Sequence, residues 1–546
     1  RHSEVDAGGQ VSVKASSTAG MAGSVASVAG AGGVAGAGTV EVGVSKGTTR
    51  AGIYDSEVHA AGVAVDARNL SGNKFVVGSG AIAGGYAGAG SVLVAVSEQN
   101  TLAEIDQSRS GSRAGQARRV IRADAKGGAI ETDGQITVDA VNDVRNGNVV
   151  AALAGGSDVG VAGVIDVTVH NSTTSARVHD AELDASGRSG DTTRGVCVKA
   201  EDKGNILRAA GAAGISFGSA GASGAVSLMI GRSSAQAAIT SSLVDAPAIT
   251  VEALNRKQMD NYTIGLGVGG GAGVGGTLSL VMLGTAPASS QQPEAFAAFT
   301  GNSKGGSSID AASDATSGIK GYFGIDGGPD GRKENALSSA ELAELQGSSS
   351  TSTDMGSLLS SGRANESKAL VSNSVLRTDT LKVAARTETS IVNAAGALGA
   401  AGAVGVGGSI GLTFVNNAVE AGLSRSLVLA RDGGRRPEVT ISAVADNLSR
   451  SSSHSVKDGD TQVDCGKDTT VCNVTVAGGA GGLVGFGAAV AHVGLNNQVL
   501  THVDGDLTIG SLAMTSEDHS KVDVFTLGAS VGATRSCASS SGAGGA

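Results

Sequence analysis

The sequence predicts an all-β repeat protein, a parallel β-helix or β-solenoid with Gly-rich strands, and three observations carry that prediction. A short tail of Val-x-Val-x-Ala type recurs along the chain. The Gly-rich apolar stretches between tails alternate with period two. Aromatic residues make up only 2% of 546 residues, with 87 Gly and no Trp, so no single repeat can build a core of its own around large rings.

The tails read Val11–Ala15, Val63–Ala67, Ile136–Ala140, Val196–Ala200, Ile249–Ala253, Leu381–Ala385 and Val439–Ala443, and their last alanines lie 52, 73, 60, 53, 132 and 58 residues apart. The unit is thus about 52–60 residues, lengthened by insertions. A second block keeps the same order, a polar segment flanked by apolar residues: Val44–Ile53, Val96–Ile105, Val169–Val178, Ile230–Ile239 and Phe414–Leu423. We read this block as a polar turn separating short strands. Divided at the tails, the chain gives the end of one repeat (1–15), then repeats 16–67, 68–140 with an insertion at 106–128, 141–200, 201–253, 254–385 with a large insertion at 284–363, 386–443, 444–516 with a Cys loop at 465–472, and a broken-off start at 517–546.

The Gly-rich stretches are strands by their parity. Val404, Val406, Ile410, Leu412 and Phe414 fall on one face, Gly405, Gly407, Ser409, Gly411 and Thr413 on the other. Val40, Val42 and Val44 repeat the pattern, as do Ile165, Val167 and Val169, which place His170 on the opposite face. Glycine weakens a strand, so its recurrence on one face predicts a second sheet approaching closely there, with the branched face buried. The uncharged runs Ala394–Val415 and Ala209–Gly231 are long enough for a membrane helix, but alternation is not helical and the runs recur between polar segments. No membrane span is expected in them. Because Arg1–Ala15 resembles Tyr54–Ala67, the chain is expected to open inside a repeat, as a window of a longer array or a subunit completed by its neighbours.

Composition narrows the function. Forty basic against 50 acidic side chains give a net charge of -10, against a nucleic-acid partner, and 5 Pro leave no collagen period. Four Cys are too few for a disulfide scaffold; Cys465 and Cys472 bracket a short polar loop and are candidates for one disulfide in an oxidising compartment, with two free thiols as the other reading. Cys197 and Cys537 are left unassigned.

With the repeats written out, the phrases Gly405–Asn417, Ala176–Leu183 and the Ile-Thr-Val-Glu-Ala tails resemble those of large bacterial surface adhesins of the filamentous-haemagglutinin and leukotoxin-type filamentous adhesin kind. The resemblance covers nearly the whole chain outside the two insertions. It implies export across two membranes, a β-solenoid stalk and an adhesive role at the bacterial cell surface, and it carries over no catalytic residue.

Candidate sites are few. Arg109, Arg113, Arg118, Arg119 and Arg122 cluster in the first insertion of an otherwise acidic chain, either a basic interaction patch or, as favoured, a solvated loop. In the second insertion Asp326 and Asp330 offer oxygen ligands to calcium within Asp-Gly-Gly-Pro-Asp-Gly, but the spacing is not that of an EF-hand and a plain turn is favoured; Ala336–Gln346 is its one expected helix. Gly214–Gly218 matches a nucleophile elbow, and Gly265, Gly267 and Gly270 a dinucleotide fingerprint, only because glycine is abundant; neither has the helix the chemistry requires. No catalytic residue, cofactor site or metal site is therefore assigned, calcium at Asp326 and Asp330 being the weak exception. The expected function is a non-catalytic extracellular structural or adhesive segment of a surface fibre. Its partners would be neighbouring repeats of the same protein and cell-surface glycans or proteins. A head-to-tail filament subunit is the alternative, and a β-helical enzyme acting on polysaccharides a more remote one.

Overall fold

The computed structural model describes residues 3–108, 120–123, 134–185, 195–285, 364–431, 436–448, 454–458, 461–465 and 469–532, with the backbone alone for 454–458 and 461–465. The described residues are all strands and turns, without a helix, and no helix is long and apolar enough to cross a membrane.

The repeat is one rung of a parallel β-solenoid. The first rung runs out along Gln10–Ala31, turns at Gly32–Gly33, returns along Val34–Tyr54, passes a corner at Asp55–Ser56 and closes through the short strand Glu57–Ala60 before Gly62–Ala83 opens the next rung. Each residue pairs in parallel with its equivalent one rung on: Gln10 with Gly62, Val34 with Tyr86, Glu4 with Glu57. Two broad sheets result. Sheet 1 contains Gln10–Ala31, Gly62–Ala83, Ile136–Gly156, Gly195–Ser216, Ala248–Gly269 and Thr380–Ala401, and sheet 2 contains Val34–Tyr54, Tyr86–Asp106, Val159–His179, Ala220–Thr240 and Val404–Leu429, the short strands forming a narrow third side. At 3.3 Å per residue a 21-residue strand spans about 70 Å, whereas rungs stack only about 4.8 Å apart. The insertions leave this register intact: Val63 pairs with Ile136, and Ser234 with Glu366.

The tails therefore open each rung. The polar block is not a turn: Val44–Ile53 lies wholly inside the strand Val34–Tyr54. Lys46 and Arg50 continue the outward parity, Lys46 stacking on Glu98 of the next rung, while Ser45 and Thr49 keep the inward one, so no break in alternation marks a chain reversal there. The reversals lie elsewhere, at a short turn inside the apolar stretch, a glycine pair at 32–33, 84–85 and 270–271 and Ser157–Asp158 in another rung, and at the corner.

The corner has its own chemistry. Asp55, Asp180, Ser241, Asn373 and Arg425 occupy one column with φ of 47–52°, a left-handed conformation that short polar side chains tolerate best. In all but the Asp180 corner, where Ala181 follows, the next residue is a serine that locks the bend. Ser242 Oγ donates to the Thr240 carbonyl at 2.7 Å and accepts from the Ala181 amide at 3.2 Å, and its own amide donates to Ser374 Oγ at 3.1 Å. Ser374 and Ser426 repeat the arrangement, so a serine ladder climbs the corner.

Behind the corner lies the apolar core: Val63, Val65 and Ala67 of sheet 1, Ala51 and Ile53 of sheet 2, and Val58, Ile121, Leu183, Val244 and Leu376 of the third side, all buried. Toward the glycine turns the third side ends and the two sheets close on each other. A Cβ on Gly214, Gly221 or Gly267 would lie inside the carbonyl oxygen of Ala222, Val268 or Val274 of the facing sheet. The close approach expected from the glycines is thus present, but the branched face is not the buried one. Val40 and Val42 point outward, 69% and 65% exposed; Gly and Ala occupy the inward positions where the backbones meet, while Phe75, Val77, Leu93, Val150 and Val164 are buried between the sheets in the first rungs. The branched residues pack along columns on the outer surface instead, such as Val40–Val92–Ile165–Val226–Leu278–Ile410–Val490. In the middle rungs the neighbouring outer residues Leu228, Ile230, Leu280, Met282, Leu412 and Phe414 are buried.

Candidate functional site

Chemistry-bearing side chains gather between the sheets, in layers just beyond the apolar core. The first layer sits two residues after the tails ending at Ala67, Ala140, Ala200 and Ala253. Asn69 Nδ2 donates to Asn142 Oδ1 at 2.7 Å, and Asn142 Nδ2 to Asp202 Oδ1 at 3.3 Å. Asp202 also accepts from Thr174 Oγ1 at 3.2 Å and from Lys257 Nζ at 2.6 Å, inside a pair whose side chains are 0% and 2% exposed. On the facing sheet a matching ladder runs Asn365–Asn417–Asn497 at 2.8 and 2.9 Å, and Asn255 Nδ2 joins the two layers by donating to Asn365 Oδ1 at 2.9 Å. Six residues further along sheet 1 comes another layer. Arg208 makes a fully buried ion pair with Asp166, Asn261 Nδ2 donates to Ser279 Oγ at 2.6 Å, and Asn393 Nδ2 donates to the Leu412 carbonyl and to Thr413 Oγ1, both at 3.1 Å.

His170 stands between these layers. It faces away from Val169 as its parity requires, and that direction is the interior. Its ring is wholly buried, and neither nitrogen has a hydrogen-bond partner among the described residues. Burial, reinforced by the Lys257 cation and opposed by the Asp202 anion, depresses its pKa to about 4, so it is a neutral imidazole at neutral pH.

The outer faces divide along the strand. Near the glycine turns they are uncharged; near the corner they carry ion pairs between and along rungs. On sheet 1 Lys382 meets Glu252 at 2.7 Å, Arg256 meets Glu388 at 2.6 Å and Arg386 meets Asp446 at 2.6 Å. On sheet 2 the Glu104 carboxylate gathers Arg50, Tyr54 and Arg177. Burial alone would raise Glu104, but the Tyr54 hydroxyl and the two guanidinium groups outweigh it and hold its pKa below the ordinary carboxylate value. At the corner an open recess of about 500 Å³ is lined by residues that include Asn373, Arg425, Asp504 and Asp506.

Of the residues singled out from sequence, Arg122 lies in the short strand Val120–Ala123 and pairs with Asp184 at 2.9 Å, which makes it a ladder residue of the third side. Arg109, Arg113, Arg118, Arg119, Asp326, Asp330, Ala336–Gln346 and Cys537 lie outside the described residues. Cys472 is disulfide-bonded; the Cys465 side chain lies outside the described residues. Cys197 is a free thiol on the outer side of sheet 1, its pKa pushed up to about 11 chiefly by burial. Gly214 and Gly267, of the two chance motifs, are sheet-contact glycines. No cluster of three or more His, Cys, Asp or Glu able to hold a metal occurs among the described residues.

The polar layers escaped the sequence reading although their signal was present: Asn69, Asn142, Asp202, Asn255 and Thr387 each follow a tail alanine by two. Comparison with protein-family models, curated proteins and solved structures returns no match to the chain.

Proposed function

We propose that this chain is a non-catalytic, extracellular segment of a bacterial surface adhesin or fibre, a rigid spacer that carries binding elements on its loops. One observation carries the reading. Rungs stack residue on residue along one axis, so length grows by adding copies of one unit while the cross-section stays constant. Two further features support it. The described charges near the corner are largely consumed by ion pairs of the ladder, and the strands flanking the second insertion, Ala272–Leu283 and Asn365–Ser372, keep register with the unbroken strands Ala220–Thr240 and Val404–Leu429, so a segment can be inserted without disturbing the stack. The resemblance to filamentous adhesins, with its implied export and cell-surface placement, belongs to the same proposal.

The test is antibody against the folded chain, applied to intact cells of the source organism. Surface labelling without permeabilisation, together with reduced attachment of those cells to host cells or glycan-coated surfaces, is the expected result. Labelling only after lysis would overturn the extracellular reading, and release of reducing or unsaturated sugar from glycans by the purified chain would overturn the non-catalytic one.

A further inference from the structure

The Asp202–Lys257 pair lies where an ion pair gains least, since withdrawing two charges from water commonly costs more than their attraction returns. Its surroundings are those of an amide-forming site. The amine reaches the carboxylate at 2.6 Å, and it does so by lying across Gly204, where a Cβ would stand 3.0 Å from Lys257 Cδ and 3.3 Å from Nζ. Both carboxylate oxygens are held by donors, Asn142 Nδ2 on Oδ1 and Thr174 Oγ1 on Oδ2. A donor on Oδ2 is placed to stabilise the negative charge that this oxygen gains when a nucleophile adds to Cγ. The wholly buried His170, with both nitrogens unpartnered among the described residues, feels the charge of each group and is neutral, the form that can take up a proton and hand it on.

We propose that Lys257 and Asp202 condense to an intramolecular isopeptide bond, with His170 as the proton carrier. Transfer of a proton from Nζ to Oδ1 first leaves a neutral amine and a neutral carboxylic acid. Nζ then attacks Cγ: the C–N bond forms and the electron pair of the C=O bond moves to Oδ2, held by Thr174. His170 removes a proton from the attached nitrogen and returns it to Oδ1. The C–Oδ1 bond breaks, the carbonyl re-forms on Oδ2 and one water departs. Nothing is oxidised or reduced and no co-reactant is consumed. Two buried charges disappear, and the dry interior disfavours the reverse hydrolysis. The product ties the strand Gly195–Ser216 to Ala248–Gly269 across a sequence separation of 55 residues, adding a covalent link to a stack otherwise held there by backbone hydrogen bonds and packing.

The experiment is mass spectrometry of the purified chain, denatured and with disulfides reduced, followed by peptide mapping. The expected mass is lower than that of the sequence by one water, with trypsin failing to cut after Lys257 and one branched peptide joining the segments that bear Lys257 and Asp202. Lys257→Met and Asp202→Ala should restore the linear mass. Asp202→Asn should give the same branched peptide with loss of ammonia in place of water. His170→Gln, if folded by circular dichroism, should slow the conversion of freshly refolded protein at least tenfold. A linear mass for the wild-type chain, with Lys257 and Asp202 in separate peptides, overturns the proposal whether or not any variant folds. Branching that proceeds at an unchanged rate in folded His170→Gln overturns the role of the histidine.

Discussion

Gly407 and Gly408 are neighbours on one strand, and the fold predicts opposite responses to the same substitution. A Cβ on Gly407 would lie inside the carbonyl oxygen of Gly478 on the facing sheet, whereas a Cβ on Gly408 has no atom within 4 Å. Alanine relieves the entropic cost of glycine by about 0.5–1 kcal/mol at either site. At Gly408 nothing opposes that gain, so Gly408→Ala should be neutral or stabilising. At Gly407 the obstacle is backbone already fixed in a hydrogen-bonded ladder, and separating the sheets locally should cost about 2–3 kcal/mol at the upper end of overpacking. The expected gap between adjacent positions is thus about 3 kcal/mol. Urea unfolding followed by far-UV circular dichroism gives the midpoints, and amide hydrogen exchange over Val404–Val415 reports the same rungs locally, which matters because a repeat array need not unfold in one step. Equal midpoints, or a Gly407 variant more stable than the Gly408 variant, would refute the assignment of the small face to the sheet–sheet contact.

Acid should weaken the fold through His170. Its native pKa of about 4 lies below the ordinary 6.5, so the unfolded chain binds the extra proton between those values; the stabilisation is complete above pH 6.5 and falls by about 3 kcal/mol in total toward pH 4. Urea midpoints across that window should show the slope in wild type and lose it in His170→Gln, because burial of the ring is the largest cause of its depressed pKa. Asn393→Ala removes the acceptor of the Ser279 hydroxyl and one of the two acceptors of Asn261 Nδ2, and leaves the Leu412 carbonyl and the Thr413 hydroxyl short of a partner; a loss of about 2–4 kcal/mol is expected from the same unfolding curves, and a loss below about 0.5 kcal/mol would show the layer to be slack. Cys197, with its thiol raised from 9.0 to about 11, should alkylate about a hundredfold more slowly at pH 8 in the folded chain than after unfolding, as timed iodoacetamide labelling would show.

The solenoid and its unit were legible because alternation and the tails are local signals that repeat. What the alternation could not reveal was which face turns inward. Burial of branched side chains is a sound default, and Val63, Val65 and Ile53 obey it behind the corner. Where glycine carbonyls meet facing glycines the rule inverts, since the interior there is thinner than a valine. The corner was missed for a different reason: Asp55–Ser56, Ser241–Ser242 and Arg425–Ser426 share a backbone shape and a serine but little else, and a left-handed arginine carries no sequence signature. The basic cluster was read as one patch from proximity in sequence, yet Arg122 is drawn into the third side by pairing with the short strands of adjacent rungs, a contact that only the register creates.

The buried polar layers answer a problem that this kind of sequence sets for itself. Alternation of Val with Gly or Ala is nearly invariant to sliding one rung against the next by two residues, a slip that keeps every side chain on its own face and costs little packing. A slip by two at Asn142 would set it beside Ala67 or Ser71 in place of Asn69, and would carry Asp202 away from Asn142 while leaving its charge buried. Each misplaced amide or carboxylate then forfeits its partner inside a dry interior, at about 1–3 kcal/mol per neutral group and more for a charge. Layers of asparagine, with Asp202–Lys257 and Asp166–Arg208 among them, thus penalise the one error that hydrophobic patterning permits. Their recurrence two residues after the tails ending at Ala67, Ala140, Ala200 and Ala253 places the register check where these rungs leave the apolar core and enter the Gly-rich region that could not specify register unaided.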